Sequence, residues 1–188
     1  MAQKGILTAK SYVYIRAMKL FIIGYMGCGK SAVGTVISTK TGLPFIDLDD
    51  RIENEIGQSI AAIFKTRGES FFRTLEQDTL DEVNSSREEF VLSTGGGTPC
   101  FGEGLRRMQM AGKVVYLKST VDNLLMRLEP SIEKRPILAS KPAEERRQFI
   151  IDHLSQREKF YSQADIIVDV DGKTVSEIAD EILTQASK

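Results

Sequence analysis

A doubly wound α/β fold with a mostly parallel sheet is what this chain predicts, and three features carry that prediction. Apolar, β-rich runs alternate with segments of helical period along most of the length. The runs are almost continuously hydrophobic, as strands covered on both faces must be. The first of them leads straight into "GYMGCGKS" at 24–31, a glycine-rich turn that opens a helix. Strands separated by crossover helices imply right-handed connections, with ligands bound just beyond the carboxyl ends of the strands.

The strand candidates in chain order are 19–24 (KLFIIG), 45–49 (FIDLD), 90–94 (FVLST), 113–118 (KVVYLK) and 165–170 (DIIVDV). Helices are expected at about 30–42, 51–65, 69–84, 102–111, 120–129, 143–161 and 174–186. Asp50 is the expected N-cap, or a solvated neighbour of it, for the helix that begins with "RIENEIG". Between the fifth and sixth of these helices, "LEPSIEKRPILASKPAEER" holds Pro130, Pro136 and Pro142. Prolines at that spacing forbid one long helix but punctuate short ones. A lid over about 130–142, carrying Arg135, is the expectation for this stretch. No internal repeat, low-complexity tract or second-domain linker interrupts 18–188, so one domain is expected there.

Gly24 to Ser31 satisfies G-x-x-x-x-G-K-[ST] at every fixed position, in the strand-to-helix context the motif requires. Its glycines let backbone N–H groups turn toward a phosphate, and the helix N-terminus adds positive potential. Lys30 would reach the β and γ phosphates of a nucleotide triphosphate, and the Ser31 hydroxyl would ligate magnesium. Cys28 lies within this turn; a helix N-terminus can activate a thiol, but a small side chain at a variable position is the preferred reading.

Asp47 and Asp49 stand two apart at the end of the second strand, which would place both carboxylates on one face. Beside a phosphate loop, one acid can hold magnesium through water while the other takes a proton from an attacking hydroxyl. Arg73 and Glu76 stand at i, i+3 on a helix; alone such a pair is a surface salt bridge, but Phe71 and Phe72 just before Arg73 suggest a partly buried fork, which would suit a carboxylate. Gly95, Gly96 and Gly97 end the third strand; three adjacent glycines clear a patch of side chains and could expose amides as an anion nest. Arg157 lies late on its helix, one turn after His153, which is read as structural.

Lys and Arg number 25 against 26 Asp and Glu, a net charge of −1 that offers no global field for nucleic acid or an anionic membrane. No apolar run approaches the roughly 18 residues of a membrane span. Two cysteines without CxxC spacing and a single histidine argue against a disulfide framework and a histidine-based zinc site, and for a reducing, cytoplasmic setting. Residues 1–17 are basic, lack acids and end just before Met18; they read as a leader or an upstream start outside the fold.

Taken in order, GxxxxGKS, "FIDLDDRIE", "SIAAIF", "GESFFRTLE", "STGGGTP", "RPIL" and "REKFY" resemble the shikimate kinase family across nearly all of 18–188. The resemblance implies a three-layer α/β/α fold with a five-stranded parallel sheet in the order 2-3-1-4-5. It implies transfer of the γ-phosphate of ATP to the 3-hydroxyl of shikimate, on the route to chorismate and the aromatic amino acids, by a monomer. Asp49 would bind the shikimate hydroxyls and act as base, with Asp47 holding magnesium through water and Ser31 binding it directly. Arg73, oriented by Glu76, and Arg157 would take the substrate carboxylate beside Gly95, Gly96 and Gly97. Gly27, Cys28, Gly29, Lys30, Ser31 and Ala32 would line the ATP phosphates. Arg135 would reach the transferring phosphate on lid closure, and Arg127 would stack on adenine. The stretch "VDGKTVSE" lacks the proline that family members often place on the other adenine face. A gluconate kinase would share Lys30, Ser31 and the fold without the paired arginines. A catalytically silent nucleotide-binding module is the alternative from another class.

Overall fold

The protein is described by a computed structural model over residues 19–187. The reading of residues 1–17 as a leader therefore falls outside the described residues. A five-stranded parallel sheet runs in the order β2-β3-β1-β4-β5, with β1 at Leu20–Ile23, β2 at Phe45–Asp47, β3 at Val91–Ser93, β4 at Lys113–Lys118 and β5 at Ile166–Asp169. Its register sets Leu20 against Val91 on one side and Lys113 on the other. The central β1 is fully buried at all four residues. Each such side chain contributes about 1.5–3 kcal/mol by leaving water, which is why this run tolerates no polar position. The two edge strands depart from the expected double coverage: β2 is half-buried throughout, and β5 alternates, leaving Ile167 exposed. An edge strand needs only one apolar face.

The helices are α1 Lys30–Thr41, α2 Leu48–Ile56, α3 Ile60–Ser85, α4 Gly104–Ala111, α5 Val121–Leu128, α6 Pro136–Ala139, α7 Ala143–Tyr161 and α8 Val175–Ala186. Three boundaries differ from the sequence reading. First, β2 stops at Asp47, whose side chain accepts from the Asp49 N–H at 3.1 Å and caps α2. Asp47 is thus the N-cap, and Asp50 is an exposed residue in the first turn. Second, the helix expected at 51–65 is two helices. Gly57, at φ 68°, ends α2, and Ser59 starts α3 by accepting from the Ala62 N–H at 3.2 Å. Third, α3 runs through to Ser85 with a kink at Gly68, where φ is 80° and ψ 173°. The expected lid begins with a 3-10 stretch, Glu129–Lys134, followed by the short α6.

Candidate active site

The strand ends on one edge of the sheet converge on a cleft of about 300 Å³, walled by the glycine-rich turn, the start of α2 and the end of β3. The turn between β1 and α1 takes its shape from Gly27 and Gly29, at φ 83° and 99°, a left-handed backbone that only glycine adopts freely. Gly29 is also the N-cap of α1 and supplies no side chain to cap it, and the first turn of α1 holds no acid. The helix thus presents its N-terminal potential and amides to an anion.

Lys30 Nζ donates to the carbonyls of Gly24 at 3.0 Å and Tyr25 at 3.1 Å, so it lies over the turn. Ser31 Oγ donates to Asp47 Oδ2 at 2.6 Å, which joins the start of α1 to the end of β2. Gly27, Gly29, Ala32, Arg127 and Arg135 also wall the cleft, and Arg127 Nη1 donates to the Cys28 carbonyl at 3.2 Å. Arg135 is exposed at the end of the 3-10 stretch. Cys28 behaves differently: its side chain turns inward and is 1% exposed. Burial pushes its thiol up despite the opposing pull of Lys30 and Arg127. Burial therefore disfavours a thiolate at the helix N-terminus, and the residues that wall the cleft here are Gly27 and Gly29 on either side of Cys28.

Asp47 and Asp49 both reach the cleft, although not through strand alternation. Asp47 ends β2, whereas Asp49 lies in the first turn of α2. Burial first, then the adjacent Asp47 charge, raise the Asp49 carboxyl to about 6, with Lys30 pulling it down and Glu76 and Glu53 adding to the rise. A carboxylate tuned toward neutrality is a better proton acceptor than an ordinary aspartate.

The glycine triplet ends β3 with no left-handed residue, so the expected anion nest is not its geometry. Its glycines instead allow close approach. A Cβ at Gly97 would stand 2.5 Å from Arg73 Nη1, and one at Gly96 would stand 2.8 Å from Arg157 Nη1. At Gly95 a Cβ would meet Glu76 Oε1 at 2.9 Å and Asp49 Oδ1 at 3.0 Å. The triplet is the surface on which both arginines and Asp49 are gathered.

Arg73 Nη1 donates to Glu76 Oε2 at 2.8 Å, and Nη2 donates to Glu69 Oε1 at 3.1 Å. Glu76 is completely buried and also accepts from Thr98 Oγ1 at 2.6 Å. Arg157 is half-buried and, among the described residues, pairs with no acid. A guanidinium left without a counter-ion beside a glycine surface is a place for an external anion.

Four contacts escaped the sequence reading. Phe101 lies with its ring centroid 4.1 Å from Arg73 Cζ, Thr98 holds Glu76, Tyr161 donates to the Gly96 carbonyl at 2.6 Å, and Tyr25 meets His153 Nδ1 at 3.0 Å. Tyr161 had a signal in "REKFY"; the others pair residues from distant segments and left none.

The sequence model of the shikimate kinase family matches residues 26–187. The shikimate kinase of Azobacteroides pseudotrichonymphae is 40% identical over 165 residues, covering 88% of this chain and 97% of that protein. Among solved structures, shikimate kinase from Bacteroides thetaiotaomicron superposes with a TM-score of 0.82 at 38% identity, over 89% of this chain and 97% of the other. Shikimate kinase from Acinetobacter baumannii in complex with shikimate superposes with a TM-score of 0.84 at 31% identity, over 93% and 95%. With the five-stranded order, the phosphate-binding turn and the glycine surface all in place, the chain belongs to the shikimate kinase family.

Proposed function

We infer that this protein transfers the γ-phosphate of ATP to the 3-hydroxyl of shikimate, the activity of its family and a step toward chorismate and the aromatic amino acids. The observation that carries the choice of acceptor is the pair of arginines on the glycine triplet, Arg73 braced by Glu76 and Arg157 without an acid partner. That arrangement suits a carboxylate set beside hydroxyls. In this reading Asp49 orients and deprotonates the acceptor hydroxyl, and Arg73, Arg157 and the 95–97 backbone hold the rest of the substrate. Lys30 leaves the turn carbonyls to neutralise the transferring phosphate, and Arg135 approaches it from the lid over 130–142. Arg127 borders the adenine, and the backbone of 27–32 lines the phosphates.

Ser31 and Asp47 offer hard oxygen donors 2.6 Å apart at the mouth of the turn, a pair that fits magnesium shared with nucleotide phosphates. Among the described residues no cluster of three or more His, Cys, Asp or Glu converges, so the phosphates would complete such a site. When bound, the ion would offset charge on the phosphates. Action as a monomer is part of the same reading. Cys28 and Cys100, the two cysteines of the sequence, are free thiols, which supports a cytoplasmic location.

A coupled assay of ADP release across shikimate, gluconate and nucleoside monophosphates tests the assignment. Turnover is expected with shikimate; faster turnover with gluconate would overturn it. Arg157→Ala should raise the KM for shikimate by about ten-fold or more, the scale of a lost charge-assisted hydrogen bond, with the KM for ATP nearly unchanged. An effect confined to ATP would move Arg157 to the nucleotide side.

A further inference from the structure

We propose that Tyr25 and His153 are positioning residues that hold Arg157 at the acceptor site, by tying the phosphate-binding turn to the helix that carries this arginine. The proposal rests on Arg157 binding the acceptor carboxylate, as inferred above. Phe149, His153, Arg157 and Tyr161 recur every four residues on α7 and form one stripe on the helix. This stripe is the less exposed side of a largely solvated helix. Arg157 stands between two hydrogen bonds on it. One turn earlier, His153 Nδ1 meets the Tyr25 hydroxyl at 3.0 Å, 128 positions away in sequence. One turn later, the Tyr161 hydroxyl donates to the Gly96 carbonyl at 2.6 Å.

Each of these partners is itself confined. Tyr25 is 1% exposed and packs edge-on against the His153 ring, with centroids 5.6 Å apart. Phe149 also packs against the His153 ring, with centroids 5.2 Å apart. The Arg157 guanidinium lies 5.8 Å from the Tyr25 ring centroid, within cation–π range. Burial keeps Tyr25 protonated, with its pKa pushed up to about 12. Burial together with the Arg157 and Arg73 charges keeps His153 neutral, with its pKa down at about 4. In the tautomer that leaves Nδ1 unprotonated, the phenol donates and the ring nitrogen accepts. With no acid partner among the described residues, Arg157 takes its place from its helix, from the Tyr161 hydroxyl one turn later and from the Tyr25 ring face. The same tyrosine offers its backbone carbonyl to Lys30 Nζ at 3.1 Å. One residue of the turn thus touches the cation assigned to the phosphate and the cation assigned to the acceptor.

Steady-state kinetics of Tyr25→Phe, His153→Ala and His153→Asn test this, with melting temperatures measured alongside. Tyr25→Phe keeps the ring and removes the hydroxyl. It should raise the KM for shikimate about five-fold, the scale of one lost neutral hydrogen bond, with kcat and the KM for ATP changed less than about two-fold. His153→Ala should do at least as much. In His153→Asn an amide replaces Nδ1 at nearly the same place and should recover most of the loss, but not when combined with Tyr25→Phe. An unchanged shikimate KM in Tyr25→Phe would overturn the proposal, as would equal rises for both substrates or an asparagine variant no better than alanine. Wild-type protein that fails to phosphorylate shikimate in the same assay would overturn the kinase assignment itself. Normal wild-type turnover with unaffected variants would reject only the positioning role.

Discussion

Asparagine in place of Asp49 should lower shikimate turnover by about two orders of magnitude or more, the cost of a lost general base, while ATP affinity stays nearly intact. The side chains are almost isosteric, so the Asp47 cap on α2 and the packing at Gly95 survive, and the change removes the charge and the proton acceptor. Unchanged turnover would reject Asp49 as the base. In the wild type, kcat/KM for shikimate should fall on the acid side with an apparent pKa of about 6, the value that burial and the Asp47 charge impose on Asp49. The asparagine variant should lose that limb.

Stability should move the opposite way. The folded protein raises the Asp49 carboxyl from 3.8 to about 6, so folding favours its protonated form. The associated stability is fully present below pH 3.8 and is lost as pH rises through about 6. Asp49→Asn does not ionise and escapes that loss. At pH 8 it should be more stable than wild type by about 3 kcal/mol, read as a higher midpoint in denaturant, with little difference at pH 3.5. A functional site that holds two acids beside each other is less stable than a neutral one, and this pair of measurements separates that cost from catalysis.

Arg73→Ala should both destabilise the protein and weaken shikimate binding. Glu76 is completely buried, with Arg73 and Thr98 as its partners. Truncating the arginine leaves that carboxylate uncompensated, at a cost of about 3–5 kcal/mol. The rise in shikimate KM should be about a hundred-fold, because a planar fork that contacts a carboxylate is lost along with the charge. The double variant Arg73→Met/Glu76→Leu separates the two effects. It should recover most of the stability, since apolar pairs replace buried ion pairs well, and none of the shikimate affinity. A double variant as unstable as the single one would show that the loss comes from packing around Phe72 and Phe101 rather than from the stranded charge.

Much of this was legible before the chain was folded. GxxxxGKS requires a strand before it and a helix after it, and both are local, so β1 and α1 followed from a dozen residues. The Arg73–Glu76 pair was legible for the same reason, since helical spacing alone puts the two on one face. Errors arose where a single residue had two local roles to choose between. Asp47 could end a strand or cap a helix, and it does both. Gly57 and Ser59 were the stop and start signals for two helices, yet the apolar period across 51–65 masked them. Of the two uses open to the glycine triplet, a patch cleared of side chains and an anion nest, its backbone conformation supports the first and not the second. That distinction depends on Arg73, Arg157, Asp49 and Glu76 arriving from other elements.

The alternation of strands and helices, the phosphate-binding turn and the charged pairs within single helices were determined by the sequence itself, because each is written within one short continuous stretch of chain. The sheet order came only through family resemblance, since hydrophobic runs do not state which strand they will pair with. Tertiary structure alone decided that Asp49 is buried enough to titrate near neutrality, that Ser31 meets Asp47, and that Tyr25 and His153 meet across 128 positions. Burial and long-range hydrogen bonds are properties of the assembled sheet and its covering helices, and no local pattern specifies them.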